Sequence, residues 1–206
     1  LITIVVAPTL PQMPPVAPFS GPGIALLLEQ ILIGAALGFA MQVAFAAITL
    51  AGDMIGLQMG LSFASFIDPE HNEQVPIIGS FLSILLMLYF LSMNGHLQLI
   101  AALTDTFRSL PVAGDTLHLG DLHALLVAAG DMFAAGFRIA LPVIATMLLA
   151  NLTLGMLMRT APQVNLLAIG FPLTLALGFI VLTLMLPLLT VNFDEVIARG
   201  FVTWRH

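Results

Sequence analysis

The chain has 206 residues, 60% of them hydrophobic and 8% charged, with five basic residues, all arginine, against eleven acidic ones. An ordinary soluble domain carries roughly 45–50% apolar and 25% charged residues, and so few cations cannot neutralise a phosphate backbone, which excludes a disordered segment and a nucleic-acid-binding protein. The mean hydropathy of +1.10 leaves too few polar side chains to cover a soluble fold, so the apolar excess must face lipid or partner subunits.

Residues 1–23 form a Pro-rich lead-in: Pro8, Pro11, Pro14, Pro15, Pro18 and Pro22 each lack a backbone donor and break up any helix. The opening at Leu1, without a basic n-region or a small-residue cleavage site, reads as a truncated start with no signal peptide. The first helical half, 24–111, begins with an apolar run over 24–51 that is long enough to cross a bilayer. Gly34 and Gly38 stand four apart, the spacing that lets helix backbones approach closely. Gly56 and Gly60 repeat it, and Gly52 joins Gly34, Gly38 and Gly56 as a predicted packing position. Across 52–76, glycines with Met54, Met59, Phe63 and Phe66 precede an acidic loop bounded by Pro69 and Pro76. Methionine repacks easily, so this stretch reads as a deformable apolar seal or, alternatively, as core.

Residues 77–93 make a second apolar run at the lower limit for a span. Asn94-Gly95-His96 closes it with a left-handed capping signature, helical character resumes over 97–110, and Pro111 stops it. A polar connector, 112–121, leads to the second helical half, 122–191. Its stretch 122–158 is too long for one span and contains Pro142, predicting a hairpin or a kinked helix. A short polar turn at 159–165 precedes the last apolar run, 164–191, and 192–206 is an amphipathic tail in which Glu195 and Arg199 form an i,i+4 pair. The scattered arginines give no orientation.

Cysteine is absent, the histidines lack zinc-ligand spacing, and no HExxH, GxSxG, P-loop or GxGxxG motif occurs. We therefore expect no metal, no cofactor and no enzymatic activity. Glu29, Asp53, Asp131 and Arg138 lie in apolar surroundings, where an ionisable group is a functional candidate by default. They keep a stand-alone secondary transporter or channel open as an alternative.

The order Ala51-Gly52-Asp53-Met54-Ile55-Gly56-Leu57-Gln58-Met59-Gly60-Leu61-Ser62-Phe63-Ala64, then Asp68-Pro69, Asn94-Gly95-His96, Arg159-Thr160-Ala161-Pro162-Gln163 with Asn165, and Gly170-Phe171-Pro172-Leu173 resembles the FliR family of flagellar and type III secretion export-apparatus membrane proteins. Arg159, Pro162, Gln163, Asn165, Gly170 and Pro172 form the second half of that structural motif. Members usually carry a further N-terminal helical region, so the chain reads as beginning after it. The resemblance implies an all-α fold of kinked helical hairpins, with FliP-like and FliQ-like parts in one chain, packed as a subunit of a helical multi-subunit export gate. It implies FliP and FliQ homologues, further export-apparatus subunits, exported unfolded proteins and membrane lipid as partners, and the bacterial inner membrane, within the flagellar basal body, as location. Much of such a complex sits above the bilayer plane. It also implies a plug loop over 60–75, with Met59, Gly60, Leu61, Phe63, Phe66, Ile67 and Asp68 as gate residues. A scaffold subunit that merely completes a ring is a blander alternative.

Overall fold

The computed structural model describes residues 16–17, 19–61, 76–109, 119–160 and 170–202. Among them the chain is all-α, with five helices: α1 (Gly21–Gln58), α2 (Ile77–Ser92), α3 (Gly95–Ser109), α4 (Leu119–Thr160) and α5 (Phe171–Val202).

Helix α1 starts inside the predicted lead-in. Ser20 Oγ accepts the Gly23 N–H at 3.2 Å, and Pro22 falls in the first turn, where its missing donor costs nothing. The helix runs beyond the 24–51 apolar stretch, through Gly52 and Asp53, to Gln58. Glycine in a helix interior costs about 1 kcal/mol, and close packing supplies the compensation described below.

Two helix ends carry left-handed residues. At the end of α1, Gly60 has φ 80. Its N–H donates to the Leu57 carbonyl and the Leu61 N–H to the Gly56 carbonyl, both at 3.1 Å, the double bond of a Schellman motif. Leu61 completes it by folding its side chain back over Gly56. At the end of α2, Asn94 has φ 54, as the capping signature anticipates. Its carbonyl then accepts from Leu97 N–H at 2.9 Å and Gln98 N–H at 3.1 Å to start α3, so α2 and α3 meet at 70°. Gly60→Ala forces a Cβ into the left-handed region at a cost of about 1–2 kcal/mol. Thermal unfolding of the purified chain should register that as a lower midpoint, with Asn94→Gly leaving the midpoint almost unchanged.

Residues 122–158, expected as a hairpin or a kinked helix, lie in one continuous helix with Pro142 inside it. Pro142 offers no N–H to the Arg138 carbonyl, and the Thr146 hydroxyl donates to the Pro142 carbonyl at 2.8 Å. Helix α5 likewise contains Pro187 and runs past residue 192 to Val202. The segment read as a separate tail thus begins within α5, and its Phe193 and Val196 are buried.

Helix α1 is the centre of the molecule, touching α2, α4 and α5. Its most apolar stretch is 44% buried inside the chain, twice the 22% of α4 and α5. The edge-to-face pair Phe45–Phe90 and the Gly52–Gly79 approach make α2 antiparallel to α1. The core runs from Val43 to Met59 on α1, through Ile78, Leu82 and Leu86 on α2, Met132 to Met147 on α4, and Leu182 to Val196 on α5. By length and composition three helices can cross a membrane, or four if the bent α2–α3 pair counts as one span.

Candidate functional site

The C-terminal half of α1 gathers most of the predicted packing and gate residues that are described. At Gly52 the α1 and α2 backbones touch: a Cβ there would lie 2.5 Å from Gly79 Cα, 2.7 Å from its nitrogen and 2.8 Å from the Ile78 carbonyl oxygen. The contact is reciprocal, because a Cβ on Gly79 would overlap the Asp53 carboxylate and approach the Thr49 carbonyl oxygen to 2.9 Å. Among the described residues Asp53 Oδ1 is buried there without a hydrogen-bond partner, beside the first turn of α2, whose positive end offsets part of the cost of placing an acceptor there.

About one turn further on, Gly56 sits in ordinary contact with Ile78 and Leu61. Met59 is completely buried, and its side chain fills the space that a Cβ at Gly178 of α5 would occupy. A flexible thioether against a glycine makes a close fit without a fixed rotamer. Met59, Gly60 and Leu61 therefore form a fixed base at the end of α1. The remaining predicted gate residues, Phe63, Phe66, Ile67 and Asp68, lie outside the described residues.

Gly34 and Gly38 behave differently from Gly52. Both are exposed, and a Cβ at either would meet nothing within 4 Å. Replacing either by alanine should raise the unfolding midpoint of the isolated chain by a few degrees, since the helix gains up to about 1 kcal/mol and loses no contact.

Of the second structural motif, Arg159 is exposed in the last turn of α4, where a cation complements the helix dipole. Gly170 is buried and Pro172 exposed at the start of α5, and Pro162, Gln163 and Asn165 lie outside the described residues. The four ionisable candidates do not converge on a relay among the described residues: Glu29 is half-buried on α1, Asp53 half-buried at the α1–α2 contact, and Asp131 and Arg138 exposed on α4. No described group of three His, Cys, Asp or Glu could hold a metal ion.

Sequence reasoning missed four contacts. Gly136 of α4 lies on the Ala47 carbonyl of α1, and Gly79 and Gly178 receive Asp53 and Met59. The available signal was position: Gly136 and Gly178 each interrupt an apolar run with no turn nearby, which asks for a packing reason, while Gly79 sits in the first turn of α2. The fourth, Tyr89 Oη donating to Asp194 Oδ1 at 2.6 Å, with the Tyr89 ring against Phe193, clasps α2 to α5 and had no local signal.

Comparison with known proteins gives a consistent result. Residues 1–200 match the family described as Bacterial export proteins, family 1. The chain is 47% identical over 189 residues to the flagellar biosynthetic protein FliR of Escherichia coli K12, covering 92% of this chain and 72% of that protein. It is 47% identical over 190 residues to FliR of Pectobacterium carotovorum, with the same coverage, and 32% identical over 184 residues to FliR of Bacillus subtilis, covering 88% of this chain and 71% of the relative.

Proposed function

Because this chain belongs to bacterial export proteins family 1, the FliR family, a membrane component of flagellar protein export, we propose that it is a core subunit of the export gate in the bacterial inner membrane, within the flagellar basal body. There it assembles with FliP and FliQ homologues into a pore for unfolded export substrates. The observation that carries this reading is the exterior of the molecule: Leu28, Ile31 and Leu32 on α1, Ile84 and Leu88 on α2, Leu149 and Met156 on α4, and Leu184 and Val191 on α5 are all more than half exposed. A surface of this kind belongs against lipid or neighbouring helices.

In this reading the loop 60–75 plugs the closed channel. Gly60 sets the direction in which the chain leaves α1, and Met59 and Leu61 anchor that exit against Gly178 and Gly56. Phe63, Phe66 and Ile67 supply an apolar constriction that excludes water and ions, and substrate passes when it is displaced. The sequence has no nucleotide-binding motif, so the energy for transport comes from elsewhere in the apparatus.

Native mass spectrometry of the detergent-extracted protein tests the assembly. Recovery in a large complex with FliP-like and FliQ-like subunits is expected. A lone chain that moves a solute into liposomes would instead establish the stand-alone transporter.

A further inference from the structure

The outer face of α4 carries a charge that no other described residue answers. The apolar segment Ala129–Leu157 turns Met132, Ala135, Gly136, Ile139 and Ala140 inward. On the opposite side Gly130, Ala134, Arg138, Leu141 and Ala145 are exposed. Among the described residues Arg138 has no hydrogen-bond or ion-pair partner, and Asp131, two turns back on the same face, does not pair with it. Nine residues inside the segment, its Cα stands about 13 Å from the Ala129 end. Side chains on a helix lean toward its N-terminus, which brings the guanidinium over Ala134, still among apolar residues. A guanidinium stays charged and presents five donors, so this face is stable in an apolar setting only if something outside the chain supplies an acceptor.

We propose that this face docks a helix of a neighbouring export-gate subunit whose aspartate or glutamate takes the Arg138 guanidinium. The small residues beside the guanidinium select a protein carboxylate. A Cβ at Gly130 would meet nothing within 4 Å and Ala134 adds only a methyl, so a second helix can approach closely where the guanidinium lies. The planar fork matches a carboxylate bidentately, as it does a phosphate, and the close approach of a helix brings the carboxylate. The inference rests on the assembly reading above and names one contact within it.

The test uses cells that make the whole apparatus. A photo-crosslinking p-benzoylphenylalanine at position 134 should give an adduct with another protein subunit. In parallel, Arg138→Gln and Arg138→Glu should lower the share of the chain recovered in the large complex by about tenfold or more, the loss expected when one member of a buried charge pair is removed. Arg138→Lys should retain an intermediate share. All three purified chains should unfold at the wild-type midpoint, because Arg138 has no partner among the described residues. A lipid adduct alone, no adduct, a shifted midpoint in all three variants, or an Arg138→Glu chain that assembles like wild type would each overturn the proposal. A wild-type chain that never enters a complex would defeat the assembly reading itself, before Arg138 is considered.

Discussion

Gly52→Ala lowers the unfolding midpoint of the purified chain, whereas Gly34→Ala raises it, although the two substitutions are chemically identical and fall in the same helix. Each should favour α1 by up to about 1 kcal/mol from helix propensity. At Gly52 the added methyl meets only backbone, with Gly79 Cα, Gly79 N and the Ile78 carbonyl oxygen at 2.5, 2.7 and 2.8 Å, so no side chain can swing aside. The two helices must separate, and Ile78 and Leu82, both in the core, lose part of their packing. Overpacking of this kind costs about 1–3 kcal/mol even where side chains can adjust, and rigid backbone puts Gly52 at the upper end. A net loss of about 2 kcal/mol corresponds to a fall of roughly 4–8 °C for a chain of this size. Gly52→Leu extends the clash beyond any local adjustment and should prevent recovery of folded chain. Equal midpoints for Gly52→Ala and Gly34→Ala would contradict the close α1–α2 contact.

The second large effect concerns ion leakage. Replacing Phe63, Phe66 and Ile67 together by serine should leave the assembled complex intact and raise the conductance of membranes that contain it. In the plug reading these three side chains keep the closed constriction dry. Burying one such side chain supplies about 2 kcal/mol, so losing even one favours the open state by roughly 30-fold. The triple substitution keeps the loop length, which matters because α1 and α2 are bound together at Gly52 and Gly79 and a deletion would strain that contact. Conductance unchanged from wild type, in a complex of normal composition, would remove the plug from the mechanism.

The same two experiments separate what was legible in the sequence from what was not. Gly34 and Gly52 carry the same local signal, a glycine in an apolar helical run with a small residue four positions away. Sequence spacing names residues able to sit at a crossing; it does not say where a partner helix passes. Met59 could be read as part of a deformable seal or as core, and the structure places its side chain fully in the core, leaving the seal reading to residues beyond Leu61. Helix α1 runs past the 24–51 stretch, through Gly52 and Asp53, because the local cost of glycine is offset by a contact with α2, 27 positions later in the chain. Pro142 similarly sits within a continuous helix, where tertiary packing outweighs one lost hydrogen bond.

By itself the sequence determined the all-α class, the apolar surroundings, the left-handed turn at Asn94 and the family, because composition, capping residues and motif order are local properties that survive in one dimension. Only the tertiary structure decided that α1 is the central helix, that Gly52 meets Gly79 and Met59 meets Gly178, that Tyr89 binds Asp194, and that Arg138 points away from its own chain. Each of those depends on which faces of distant helices meet. In a chain apolar on nearly every face, hydrophobic periodicity cannot distinguish the side that packs inward from the side that awaits lipid or a partner.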